Sequence, residues 1–324
     1  MRYERILAEV LSMPWAIHRD MLAQLAGILA LRAAGKRLTD EEIEARIAPG
    51  QERAAGRGAR GQVGAIAVMP IVGLLLPRAE ALSQTSGAVS TQELVAQFQQ
   101  LVANESVGAI ILDMDSAGGS VGGVAEFADA VFQARAVKPV VAFANPMMAS
   151  AAYWIGASAS ELVVAPSALV GSIGVYAAHH DLSEALAKEG VKITMISAGK
   201  NKVLGAEHEP LSEAARAEIQ VHVDEFYSLF VKAVARGRGV AQQAVREGFG
   251  EGAVVGAERA VRLGMADRMG GIEQALGRAA QLAGRAGGTR ALAARFDHDL
   301  DARQRWHMGA EIGRLRRDPM TPLG

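Results

Sequence analysis

The chain has 324 residues, half of them hydrophobic but only 5% aromatic, and a formal net charge of −1. That length holds one large domain or two small ones with a core of Ala, Val, Leu and Ile, and the near-neutral charge gives no electrostatic reason to expect nucleic acid. The absence of Cys excludes disulfides, thiolate zinc sites and a cysteine nucleophile.

Residues 1 to about 45 read as helical, with Asp40–Arg46 a short charged helix after the N-cap candidate Thr39. Charges interrupt Met1–Glu9, so no secretory signal forms, and Leu22–Ala34 is too short to span a bilayer. A soluble, cytoplasmic chain without a membrane partner is expected. Residues 49–62, with Gly50, Gly56, Gly58 and Gly61 among arginines, read as a flexible linker. The domain division expected is therefore a helical arm and linker over 1–62, a compact domain over 63–275, and an Arg/Ala-rich tail, helical or partly disordered, over 276–324.

Within the compact domain, Ala65–Leu76 is an apolar strand run. Ser90 with Glu93 forms a capping box for a helix carrying Leu94, Phe98 and Leu101. Val107–Met114 is a buried-strand run ending at Asp115. Ser120–Ala136 reads as a helix, Pro139–Ala144 as a strand and Ser150–Ser158 as a small-residue helix. Strands are expected at Glu161–Ala165, Val170–Tyr176 and Val191–Ser197, with a helix over Leu182–Glu189. A long helix runs from Ser212 to Arg236, and a shorter unit spans Ala241–Met269. Continuous apolar strands alternating with helices indicate an α/β fold with a mostly parallel sheet buried on both faces.

Three constellations carry chemistry. Asp115-Ser116-Ala117-Gly118-Gly119-Ser120-Val121 is a glycine turn at the end of a strand, where α/β folds place ligands. The Gly119 amide, with the Ala151 amide after a nucleophile, suits an oxyanion. It is not a phosphate loop, because the Gly-Lys-Ser/Thr ending is absent. Ser150 sits at a strand-to-helix turn among Ala149, Ala151 and Ala152, which leave room for an acyl group. Lys200 and Lys202 both follow Gly199 and compete for the role of base, which requires an amine held neutral. His179-His180, next to Asp181, is a rival base. Tyr153 and Trp154 read as packing residues. No metal-ligand spacing and no cofactor motif appears.

Taken in order, the Asp-Ser-Ala-Gly-Gly-Ser-Val turn, Met-Ala-Ser-Ala-Ala-Tyr-Trp, Gly-Ser-Ile-Gly-Val at 171–175 and Ser-Ala-Gly-Lys-Asn-Lys resemble the signal peptide peptidase A family of serine peptidases. The resemblance covers residues 63 to 275 and is closest to the phage and prophage branch of capsid assembly, or prohead, proteases. It implies a Clp protease/crotonase-like fold of spiral ββα units and a Ser-Lys dyad. By position it makes Ser150 the nucleophile, Lys202 the base, Ser172 the residue orienting the lysine, and Gly119 the oxyanion glycine. Ala117 stands where the family has Pro, and Ala151-Ala152 where it has Gly-Gly; both changes keep the backbone amides. The membrane anchor of the bacterial enzymes is missing, which favours a soluble substrate. The implied partners are a phage scaffold or capsid protein, including the enzyme's own termini, and further copies of the chain in a ring. A crotonase-type acyl-CoA enzyme and a non-catalytic assembly protein are the rival readings on the same fold.

Overall fold

A computed structural model describes residues 15–17, 65–78 and 88–293. The linker expected at 49–62 and the tail beyond 293 lie outside the described residues, as does the expected arm apart from Trp15–Ile17. Strand β1 (Trp15–Ile17) belongs to a small sheet. β2 (Ala65–Val72) lies in a larger sheet, and the chain turns at Gly73, φ 99°, into β3 (Leu74–Leu76) of the small one. β4 (Ala88–Ser90) extends the small sheet and leads into helix α1 (Thr91–Ala103). The pattern repeats: β5 (Val107–Ser116) is in the larger sheet, β6 (Gly118–Ser120) in the small one, and helix α2 (Val124–Ala134) follows. β7 (Val140–Ala149) then passes through Ser150 into α3 (Ala151–Gly156). Strands that turn between two sheets before a helix, as they do ahead of α1 and α2, are the spiral ββα unit, so the fold is of the Clp protease/crotonase-like class.

The remaining strands, β8 (Glu161–Val164), β9 (Leu169–Gly171), β10 (Val254–Gly256) and β11 (Arg268–Met269), complete the larger sheet, and the remaining helices are α4 (Ser183–Lys188), which buries no residue, α5 (Glu213–Arg238), α6 (Gln242–Gly248), α7 (Ala257–Arg262) and α8 (Ile272–Ala293). The larger sheet runs β10-β9-β7-β5-β2, with β8 between β7 and β11; the small sheet runs β1-β6-β3-β4. β7 has two successive parallel neighbours on one side. Val141–Ala144 pairs with β8, and Met147–Ala149 pairs with β9.

Local chemistry explains most boundaries. Ser90 Oγ accepts the Glu93 N–H at 3.2 Å and caps α1, whose Phe98 meets Phe127 of α2 edge-on at 5.7 Å. At its far end, buried Lys138 donates to the carbonyls of Leu101 and Asn104, at 3.1 and 2.8 Å. α2 starts later than expected, because Gly118–Ser120 is strand and Gly123 (φ 79°) turns the chain before the helix. α5 ends one turn-residue beyond Arg238, at Gly239 in the left-handed region. Its Phe230 stacks on Trp154 at 4.7 Å with the rings 9° from parallel. α8 crosses position 275, and its Ala275 and Ala279 are buried in the core.

Three expected strands differ. The single run Ala65–Leu76 is broken at Gly73 into β2 and β3, which lie in different sheets. β9 stops at Gly171, because Ser172 (φ 53°) turns the backbone. Val191–Ser197 forms no strand: no described strand pairs with it, and Val191, Ile193, Met195 and Ile196 are exposed, Ile196 at 95%. An extended run without a neighbouring backbone has nowhere to place its amides and carbonyls except water.

Charges are paired around β8 and β11. Arg238 holds Asp267 through two hydrogen bonds of 2.8 and 2.9 Å. Buried Glu161 accepts from Arg268 and Arg278. Burial alone would raise both carboxyls, but the guanidinium hydrogen bonds outweigh it and hold Asp267 and Glu161 below their ordinary values.

Candidate active site

Ser150 is the last residue before α3 and has φ 55°, ψ −120°, a conformation that residues with a Cβ avoid. It is clamped from both sides. Its N–H donates to Gly171 O at 2.6 Å, and its carbonyl accepts the Trp154 N–H at 2.9 Å. The residue is 1% exposed and its hydroxyl has no hydrogen-bond partner among the described residues. A sharp strand-to-helix turn that holds an uncommitted hydroxyl is the geometry a nucleophile needs. Behind it, Tyr153 and Trp154 are packing residues as expected. Both are buried, Tyr153 donating its hydroxyl to Met265 O at 2.9 Å.

The glycine turn lies against this serine. A Cβ placed on Gly118 (φ 100°) would sit 2.9 Å from Ser150 Cβ and 2.9 Å from the Ala151 nitrogen, so only glycine fits there. On Gly119 it would sit 1.8 Å from Leu75 O. Ser116 fixes the turn: its hydroxyl donates to Gly73 O at 2.6 Å and accepts the Gly118 N–H at 3.1 Å. One side chain thereby ties together both crossings between the sheets. The sequence places Ser116 and Gly118 within the glycine turn but assigns a role to Gly119 alone; the Gly-Gly pair signals the close backbone approach.

Ser172 directly follows the carbonyl that holds Ser150, and its N–H donates to Ala253 O at 2.9 Å. It lines a cavity of about 480 Å³ with Ile17, Gly174, Tyr176, Gly252 and Val254. The Tyr176 hydroxyl is buried without a partner, and burial pushes it up to about 12.

Lys202 does not hydrogen-bond to Ser150. It is exposed, in a turn closed by its own N–H donating to Gly199 O at 3.2 Å, and among the described residues the serine hydroxyl has no amine within hydrogen-bond reach. Lys200 is exposed as well. Of the rival histidines, His179 places Nε2 3.5 Å from Ala206 O and His180 is exposed, so neither reaches the serine. The structure thus assembles Ser150, Ala151, Gly118, Gly119 and Ser172, and leaves the amine outside. Among the described residues no group of three His, Asp or Glu side chains is placed to hold a metal, and no helix is long and apolar enough to cross a membrane.

A profile of peptidase family S49 matches residues 133–285, a range that includes Ser150, Ser172 and Lys202. The chain is 34% identical over 268 residues to capsid assembly protease C of Escherichia phage lambda, covering 81% of this chain and 61% of that protein. It is 34% identical over 207 residues to head-tail preconnector protein GP5 of Enterobacteria phage P21, covering 64% and 41%. It therefore spans less than two thirds of either phage relative. "Putative protease slr0021" of Synechocystis sp. is 31% identical over 205 residues, and the chain covers 73% of its length. With the strained Ser150 turn inside the matched range and a relative of this identity covered over most of its length, the chain belongs to peptidase family S49.

Proposed function

We propose that the chain is a serine endopeptidase with a Ser-Lys dyad, acting on phage scaffold or capsid proteins. The observation that carries this reading is Ser150, buried, with an unpartnered hydroxyl and a strained backbone, beside the Gly118-Gly119 turn. Neutral Lys202 removes the proton as Ser150 Oγ attacks a peptide carbonyl, and the amides of Gly119 and Ala151 stabilise the oxyanion. Lys202 then protonates the leaving amine, and water releases the acyl group by the reverse sequence. Ser172 holds the amine in line. The substrate class is supported by the names of the two phage relatives.

Lys202 reaches Ser150 in an assembly of several copies. The supporting observation is that the segment leading to this lysine exposes Val191, Ile193, Met195 and Ile196, an apolar run that no described strand pairs with. A second copy supplies the missing neighbour and buries the run, and this places the amine in a dry environment that keeps it neutral.

The test is fluorophosphonate labelling followed by peptide mapping. Ser150 takes the probe in the wild type, no labelling remains in Ser150→Ala, and labelling in Lys202→Ala falls by about 10²-fold or more, as expected for loss of a general base. Mixing Ser150→Ala and Lys202→Ala chains restores a fraction of peptidase activity if the lysine crosses between copies. Labelling at another residue overturns the reading.

A further inference from the structure

The cleft above Ser150 already contains a peptide strand. Trp15–Ile17 lies antiparallel to β6, with Trp15 opposite Ser120, Ala16 opposite Gly119 and Ile17 opposite Gly118. On its other side Trp15 exchanges both backbone hydrogen bonds with Tyr176: Trp15 N–H donates to Tyr176 O at 2.8 Å, and Tyr176 N–H donates to Trp15 O at 3.1 Å. In an extended strand successive residues alternate sides. The N–H and C=O of Ala16 therefore face Gly119, the oxyanion glycine. The Ala16 carbonyl oxygen is 2.3 Å from the point where a Gly118 Cβ would stand, and Ser150 Cβ and the Ala151 nitrogen are each 2.9 Å from that same point. A peptide carbonyl, the nucleophile and both proposed oxyanion amides thus converge. All three residues of the strand are buried, and Ile17 borders the cavity that continues past Ser172.

We infer that Trp15–Ile17 is an inhibitory strand: it occupies the place of a substrate peptide over Ser150, and a substrate binds only by displacing it. This rests on the peptidase reading of the site. The cleft recognises an extended peptide by strand addition between β6 and Tyr176. The residue whose carbonyl faces Gly119 is Ala16, a small side chain, and this defines the preferred residue on the acyl side of a cleaved bond. A strand tethered in the same chain acts at an effective concentration in the millimolar range. Free peptides compete poorly with it until the segment is removed or engaged by another partner.

The experiment compares three full-site proteins: the wild type, a chain lacking residues 1–17, and Ala16→Pro. Proline removes the N–H facing Gly119 and leaves every catalytic residue in place. The readout is the rate of fluorophosphonate labelling at Ser150 together with casein hydrolysis, and thermal unfolding confirms that each chain is folded. Labelling is expected to rise tenfold or more in both altered chains. A synthetic peptide of residues 11–21, at about millimolar concentration, returns the truncated chain to the slow rate by raising KM with kcat unchanged. The same peptide with Ala16→Pro has no effect. Equal rates in the wild type and both altered chains overturn the inference while the peptidase reading stands. A Ser150 that reacts in none of them, altered or not, overturns both.

Discussion

Replacing Ser150 tests whether the site stores energy as its geometry implies. In a Lys202→Ala background the proposed base is absent, so the comparison reports on the serine and its turn. Ser150→Ala keeps φ at 55° and deletes a buried hydroxyl that lacks a partner. Removing an unsatisfied buried polar group is worth about 1–3 kcal/mol. Ser150→Gly deletes the same hydroxyl and also releases the left-handed strain, a gain of about 1–2 kcal/mol. It loses about 0.5–1 kcal/mol of that to the greater freedom of glycine in the unfolded chain. Both variants are therefore more stable than the parent, by an amount that raises the unfolding midpoint roughly 2–4 °C per kcal/mol in a domain of this size. The assay is calorimetry of the three proteins at one concentration, alongside urea titration to check the ordering. A drop in stability for Ser150→Ala would refute the argument, because it would mean that the hydroxyl is partnered and the turn relaxed.

Three further outcomes follow from the packing around the site. Phe230→Ala removes the ring stacked on Trp154 and costs about 3–5 kcal/mol; a loss below about 1 kcal/mol in urea unfolding would contradict the stacked, inaccessible placement. Glu161 and Asp267 are held below their ordinary values of 4.5 and 3.8, so the stability they lend is complete above that range and drains as pH falls through the lowered values. Melting temperature should hold from pH 7 to about 5 and fall below it, and Glu161→Gln, already less stable at neutral pH, should show a shallower acid slope. Ile196→Asp, at a side chain 95% exposed, should leave the folded chain within about 0.5 kcal/mol of the parent. It should nevertheless abolish assembly in sedimentation experiments and, with it, peptidase activity; an active assembly carrying this change would remove the role given to the 191–197 run.

The parts of the molecule legible in the sequence were those encoded by near neighbours. Ser90 with Glu93, Ser212 at the start of α5, and Ser150 between an apolar strand and an alanine-rich turn each announce themselves within a few residues, whereas the end of α5 falls at Gly239 and not after Arg236. Gly118 and Gly119 were visible as a close-approach turn, but which backbone atoms they meet depends on Leu75, Ser150 and Ala16, which lie far away in the chain. Trp15–Ile17 was unreadable for the same reason. It is too short to show a strand period, it sits in a stretch that reads as helical, and its partners are about a hundred residues on. Val191–Ser197 carried the apolar signature of a strand, yet no described strand pairs with it. Sequence pattern reports that a run is suited to pairing; it does not report which chain supplies the partner.

The fork in β7 makes the crossover between β8 and β9 an adjustable part. β8 anchors the first half of β7 and β9 the second, and the carbonyl that fixes the Ser150 dihedral belongs to β9. Residues 165–168 are all that sets the spacing between those two anchors. A one-residue insertion there leaves the β8 ladder and the core beneath it intact, while it slides Gly171 out of register and releases the serine turn. The length of that four-residue link thus governs whether a folded domain still holds a poised hydroxyl.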